Sequence, residues 1–132
     1  MILLDTHIWV WWVAGGDGLT DTELAAIQAS RMADEERGVS VMSCWEVGML
    51  ASKGRLPLTL PVDQWVTQAL GPSGVTLVPL TPAIAVASAS LPAPFHADPA
   101  DRIIVATARV LDIPLVTRDG KIRRYPHVKV VP

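Results

Sequence analysis

Ile2-Leu-Leu-Asp-Thr-His-Ile-Trp-Val-Trp-Trp-Val13 sets three aliphatic residues directly before an acid and then a mainly apolar run. A short aliphatic run ending in an acid reads as a strand, and Asp5 or Thr6 is a natural N-cap for a helix after it. The same order recurs twice. Val39–Met42 runs into Ser43-Cys-Trp-Glu46, and Leu115–Val116 runs into Thr117-Arg-Asp119. Val75–Val78 and Val128–Val131 supply two more strand-like runs, about five in all. Helical patterns lie between them. Thr20-Asp-Thr-Glu23 is a capping box opening a helix to about Glu36, with Gly38 ending it. Val62, Trp65, Val66 and Ala69 share one helix face before Gly71-Pro72. Pro82 to Ser90 and Pro99 to Leu111 complete the set, with Asp98 placed to cap the last. Strands that alternate with helices and are apolar throughout predict an α/β fold: a mostly parallel sheet covered by helices on both faces.

With 132 residues, the chain is expected to form one domain over residues 1–132 with a sizeable core. Half of the residues are hydrophobic and 18% are charged, which excludes a disordered chain or a long coiled coil. The longest apolar run, Ile8–Ala14, is too short to span a bilayer, and Asp5 before it argues against a secretory signal. Cys44 has no partner for an internal disulfide. The expected location is cytoplasmic, with no membrane contact. Formal net charge is −2, but residues 1–66 carry −5 and residues 67–132 carry +3. A local basic surface is therefore compatible with an acidic whole. Five of the seven aromatics are tryptophans, all within helical patterns, which favours core or subunit packing over base stacking.

If the strands are parallel, their carboxyl ends share one rim, and Asp5, Glu46 and Asp119 meet there. Asp98 and Asp101 open the helix after Pro99. Singly, each acid can be explained as a cap or a turn residue. Together they would repel one another unless a cation or protons offset them. Glu46 sits among Trp45, Val47, Met49 and Leu50, where a carboxylate needs a partner. A set made only of Asp and Glu suits a hard ion, Mg2+ or Mn2+, rather than zinc. Such a site fits metal-assisted phosphodiester hydrolysis. Competing motifs fail. His7 stands where a haloacid-dehalogenase phosphatase would need its second Asp, no glycine-rich phosphate loop is present, and His7, His96 and His127 are too dispersed for a zinc site.

Leu4-Asp-Thr6, Ser43-Cys-Trp-Glu-Val47 continuing to Lys53-Gly-Arg-Leu56, His96-Ala-Asp-Pro-Ala-Asp-Arg102 and Thr117-Arg-Asp119 resemble, in order and spacing, the PIN-domain ribonucleases, specifically the VapC-type toxins of toxin–antitoxin pairs. The resemblance spans essentially the whole chain. It implies a three-layer sandwich and an acidic quartet of Asp5, Glu46, Asp101 and Asp119, with Asp98 as a nearby fifth acid and Thr6 and Thr117 as supporting hydroxyls. It also implies cleavage of structured RNA with one or two Mg2+ or Mn2+ ions, homodimerisation, and neutralisation by a VapB-like antitoxin. Lys53, Arg55, Arg102, Arg118, Arg123 and Arg124 are then the candidates for gripping the RNA backbone. Ala100 departs from the family pattern, which often places an aromatic there. A catalytically silent module binding RNA or protein is the alternative, and retention of all four acids argues against it.

Overall fold

The computed structural model describes residues 1–132. Strand β1 (Ile2–Leu4) is central. It pairs in parallel with β2 (Arg37–Ser40) on one side and β4 (Leu115–Val116) on the other, and β3 (Val75–Val78) pairs with the outer edge of β2. The order is β3-β2-β1-β4, with every pairing parallel. Parallel neighbours cannot be joined by a tight turn, so helices carry the chain back each time. Helices α1 (Thr6–Val13) and α2 (Asp21–Met32) link β1 to β2, and α3 (Val41–Ser52) and α4 (Val62–Leu70) link β2 to β3. Helices α5 (Pro82–Ala89) and α6 (Pro99–Leu111) lead to β4, and α7 (Gly120–Arg124) follows it.

Alternation along β1 divides the core into two layers. Ile2 and Leu4 pack with Val39 and Val116 against Ile8, Trp9, Ile27 and Val47 from α1, α2 and α3. Leu3 points the other way, with Leu115, against Ile84, Ile104, Val105 and Ile122 from α5, α6 and α7. Complete burial of a side chain of this size stabilises by about 1.5–3 kcal/mol before chain entropy is counted. Gly38 belongs to this packing. A Cβ there would lie 3.0 Å from Met1 Sδ and 3.1 Å from Val78 Cγ2, so a side chain at this position would force both neighbours to give way.

The expected α/β sandwich with a parallel sheet is what forms, with four strands rather than about five. Val128–Val131 makes only one bridge, Leu115 to Val130, through Leu115 N to Lys129 O at 2.9 Å and Val131 N to Leu115 O at 3.0 Å. Pro114 offers no N–H to extend the ladder, β4 is two residues long, and Arg123 takes the Val131 carbonyl. Two boundaries also move. Strand β2 ends at Ser40 rather than Met42 because that hydroxyl accepts from Met42 N at 3.1 Å and caps α3, so Ser43 and Glu46 both lie inside the helix. Helix α2 stops at Met32, with Asp34 in a left-handed conformation at φ 57°, and Gly38 is a strand residue.

Candidate active site

The acids reach one rim because the strands are parallel. Asp5 leaves β1 and N-caps α1, its Oδ1 accepting from Thr6 N at 2.9 Å. Its Oδ2 accepts from Thr117 Oγ1, just beyond β4, at 2.6 Å. Thr117 Oγ1 in turn accepts from Asp119 N at 3.1 Å, and Asp119 N-caps α7 through Lys121 N and Ile122 N. On the other side, Thr6 Oγ1 lies 2.6 Å from Glu46 Oε1 and 2.9 Å from Ser43 Oγ. A hydroxyl has one proton, so Thr6 donates to the carboxylate and accepts from Ser43. Asp98 N-caps α6 with Oδ1 accepting from Asp101 N at 3.0 Å. Thr6 and Thr117 thus tie α1, α3 and the β4 exit into one polar network around Asp5, which is 8% exposed.

Electrostatics joins these groups into a single cluster. Burial raises the Asp5 carboxyl above its ordinary range, opposed by the hydrogen bonds from Thr117 and Thr6 N and reinforced by Asp119. Burial likewise raises Glu46; the Thr6 hydroxyl opposes it, and the charges of Asp5 and Asp98 add to it. Asp101 is pushed up to about 7, first by burial and then by Asp98, Asp5, Asp119 and Glu46. The mutual repulsion expected from the sequence therefore operates among all five acids. The donors are hard oxygens carrying excess negative charge, a fit for a hard divalent cation. No three His, Cys, Asp or Glu side chains close into a ready-made cage.

The cationic candidates separate into two groups. Arg102 donates through Nε to Ser88 O at 2.9 Å and through Nη1 to the Phe95 and His96 carbonyls, pinning the segment before α6. Arg118 pairs with Glu23, donates to Gly18 O at 2.7 Å and lies 4.5 Å over the Trp11 ring. Arg123 Nη1 bonds the Thr117 and Val131 carbonyls at 3.0 and 3.1 Å. Lys53, Arg55 and Arg124 are exposed. Lys53 lies seven residues beyond Glu46, about 10 Å along the α3 axis at the helical rise.

Sequence reasoning missed Ser43, whose completely buried hydroxyl completes the Thr6 network, and its place three residues before Glu46 on one helix face was the available signal. It also missed His96, whose Nε2 lies 3.2 Å from Asp101 Oδ2. Ala100 is 3% exposed, so the small residue at this family-variant position is packed inside. The tryptophans divide: Trp9 is fully buried and Trp45, beside Glu46, is 55% exposed. A hollow of about 750 Å3 between α1, α4 and the segment 56–60 is lined by none of the five acids. No helix is long and apolar enough to cross a membrane.

A parallel α/β sandwich with this acidic rim is the architecture of PIN domains. Residues 2–128 match the PIN domain family model, and the chain belongs to that family. It is 38% identical over 130 residues to Ribonuclease VapC22 of Mycobacterium tuberculosis, covering 98% of this chain and 95% of that protein. Among solved structures, VapBC2 from Rickettsia felis bound to a DNA fragment from its promoter superposes with a TM-score of 0.70 at 16% identity, covering 98% of this chain and 97% of that one. A toxin–antitoxin complex from Klebsiella pneumoniae gives 0.68 at 24% identity, covering 100% and 97%. At these identities the two structures establish the shared fold.

Proposed function

We propose that this protein is the ribonuclease toxin of a toxin–antitoxin pair. It cleaves structured RNA at the acidic rim with Mg2+ or Mn2+, acts as a homodimer, and is neutralised by a VapB-like antitoxin. The observation that carries this reading is the coupling of Asp5, Glu46, Asp98, Asp101 and Asp119 into one cluster. It sits in a chain similar over nearly its whole length to a ribonuclease.

In this reading Asp5, Glu46, Asp101 and Asp119, with Asp98 beside them, hold one or two ions. A bound Mg2+ or Mn2+ supplies a Lewis acid for the scissile phosphate and lowers the pKa of a coordinated water. The chain's own residues do the positioning. Thr6 N and Thr117 Oγ1 fix both oxygens of Asp5, and Thr6 Oγ1 fixes Oε1 of Glu46. Carboxylates held this way do not reorganise when charge develops nearby, which is the basis of electrostatic preorganisation. Lys53, Arg55 and Arg124 are exposed cations available to the RNA backbone; Arg118 and Arg123 are exposed as well but, like Arg102, hold backbone carbonyls or Glu23.

The direct test is cleavage of total cellular RNA by the purified, antitoxin-free protein with Mg2+, Mn2+ or EDTA, beside an Asp5→Asn control. Discrete fragments that require metal and vanish in the control are expected. A folded protein that cuts no RNA under any of these conditions would instead be a silent binding module.

A further inference from the structure

His96 lies five residues before Asp101, in the segment joining α5 to α6. Its ring stacks at 4.5 Å on Phe95, which packs at 4.6 Å against Tyr125, whose hydroxyl donates to Pro92 O at 2.6 Å. Arg102 Nη1 holds the Phe95 and His96 carbonyls from below. The ring is therefore fixed by neighbours on its own segment, on α6 and just beyond α7.

The tautomer follows from the hydrogen bonds. Nδ1 accepts from Asp98 N at 3.4 Å, and an accepting ring nitrogen carries no proton. The proton is then on Nε2. That nitrogen is shielded from solvent and makes no aligned hydrogen bond, yet Asp101 Oδ2 is 3.2 Å away. A buried N–H without an acceptor is unfavourable, so the contact gains by alignment. Polar contacts at such sites are often loose before ligands arrive and tighten afterwards.

We propose that His96 is a positioning residue: with its proton on Nε2 it holds the Asp101 carboxylate through Oδ2 and thereby sets how that carboxylate is offered to a divalent cation at the rim. The inference rests on the cation-dependent reading above and adds a residue to it. Asp98 is part of the same device. Its backbone N–H selects the tautomer, while its side chain caps the helix that carries Asp101. A ring that merely filled space on Phe95 would need no donor at Nε2. Partners behind a ligating carboxylate commonly change metal affinity on the order of 10–100-fold when removed.

Two measurements test this. In a long-range proton–nitrogen correlation spectrum of the metal-free protein, Nε2 of His96 is expected to carry a proton. A ring with its proton on Nδ1 and none on Nε2 would overturn the proposal, and this needs no variant to fold. The second is calorimetric titration with Mn2+. His96→Phe keeps the ring and removes the donor, and is expected to weaken binding on the order of 10–100-fold. His96→Gln, which presents an N–H near the position of Nε2, should remain close to wild type. Unchanged affinity in His96→Phe, or loss in His96→Gln with retention in His96→Phe, would reduce His96 to packing while leaving the cation-dependent reading intact. A wild-type protein that binds no Mn2+ would overturn both.

Discussion

Asp5 performs two tasks that a single substitution can separate. It caps α1 through Thr6 N, and it carries charge into a cluster that resists it. Asp5→Asn removes that charge, which relieves repulsion, but replaces the oxygen that accepts from Thr117 Oγ1 with an NH2 donor, so the Thr117 hydroxyl proton loses its acceptor. These effects oppose each other, so unfolding free energy should stay within about 1 kcal/mol of wild type while RNA cleavage is lost. Denaturant melts beside the cleavage assay check it, and an unfolded variant would reassign Asp5 to capping. Glu23 gives a prediction with a pH sign. Its carboxyl is held below the ordinary range chiefly by the hydrogen bond from Arg118. A depressed folded pKa means stabilisation that is present above the unfolded value of 4.5 and is lost as pH falls through the folded value. Glu23→Gln should therefore be less stable than wild type near neutrality and converge with it in acid, as measured by thermal melts across that range. An offset independent of pH would contradict the pairing.

Three elements share one design: a strand, an acid or hydroxyl at its exit, and a helix capped by that exit. It was readable at Asp5, where the cap is the acid itself; the short helix that Asp119 caps was not expected, because Asp119-Gly120 reads equally as a turn. At β2 the pattern misled. Ser40 and Ser43 both suit an N-cap, and the strand took the shorter course because Ser40 leaves Ser43 on the buried face toward Thr6. Local sequence could not choose between two serines three residues apart; contact with α1 could. The Thr20 capping box was readable for the opposite reason, since both of its hydrogen bonds lie within four residues. Thr20→Ala should lower stability by about 1 kcal/mol and leave the acid cluster unmoved, so denaturation midpoints shift while metal-dependent cleavage per folded molecule does not.

At the scale of the molecule, the uneven charge along the chain does not persist as two separate surfaces. The rim takes Asp5 and Glu46 from the acidic half and Asp98, Asp101 and Asp119 from the basic half. Three of the six bases expected to grip RNA, Arg102, Arg118 and Arg123, also hold backbone carbonyls or Glu23. Replacing Lys53, Arg55 or Arg124 with alanine should weaken RNA binding about equally across sequences and reduce the salt slope by roughly one unit per phosphate contact. Replacing Arg102 or Arg123 should lower the melting temperature first. Filter binding at several salt concentrations, paired with melts, separates the two groups, and an unchanged slope in all three exposed variants would remove them from the RNA surface.

The fold class and the acids were legible in the linear chain because both rest on short-range regularities. Apolar runs of strand length, caps within a turn, and an acid at a strand exit need no distant contact to be recognised. The missing fifth strand, the shift of β2, the carbonyl and Glu23 contacts of Arg102, Arg118 and Arg123, and the places of Ser43 and His96 were decided only by tertiary structure. Each depends on partners far apart in sequence, such as Thr6 with Ser43 or Arg118 with Glu23. A carbonyl or carboxylate competes with solvent or RNA for the same donor, and only the folded sheet brings that acceptor within reach.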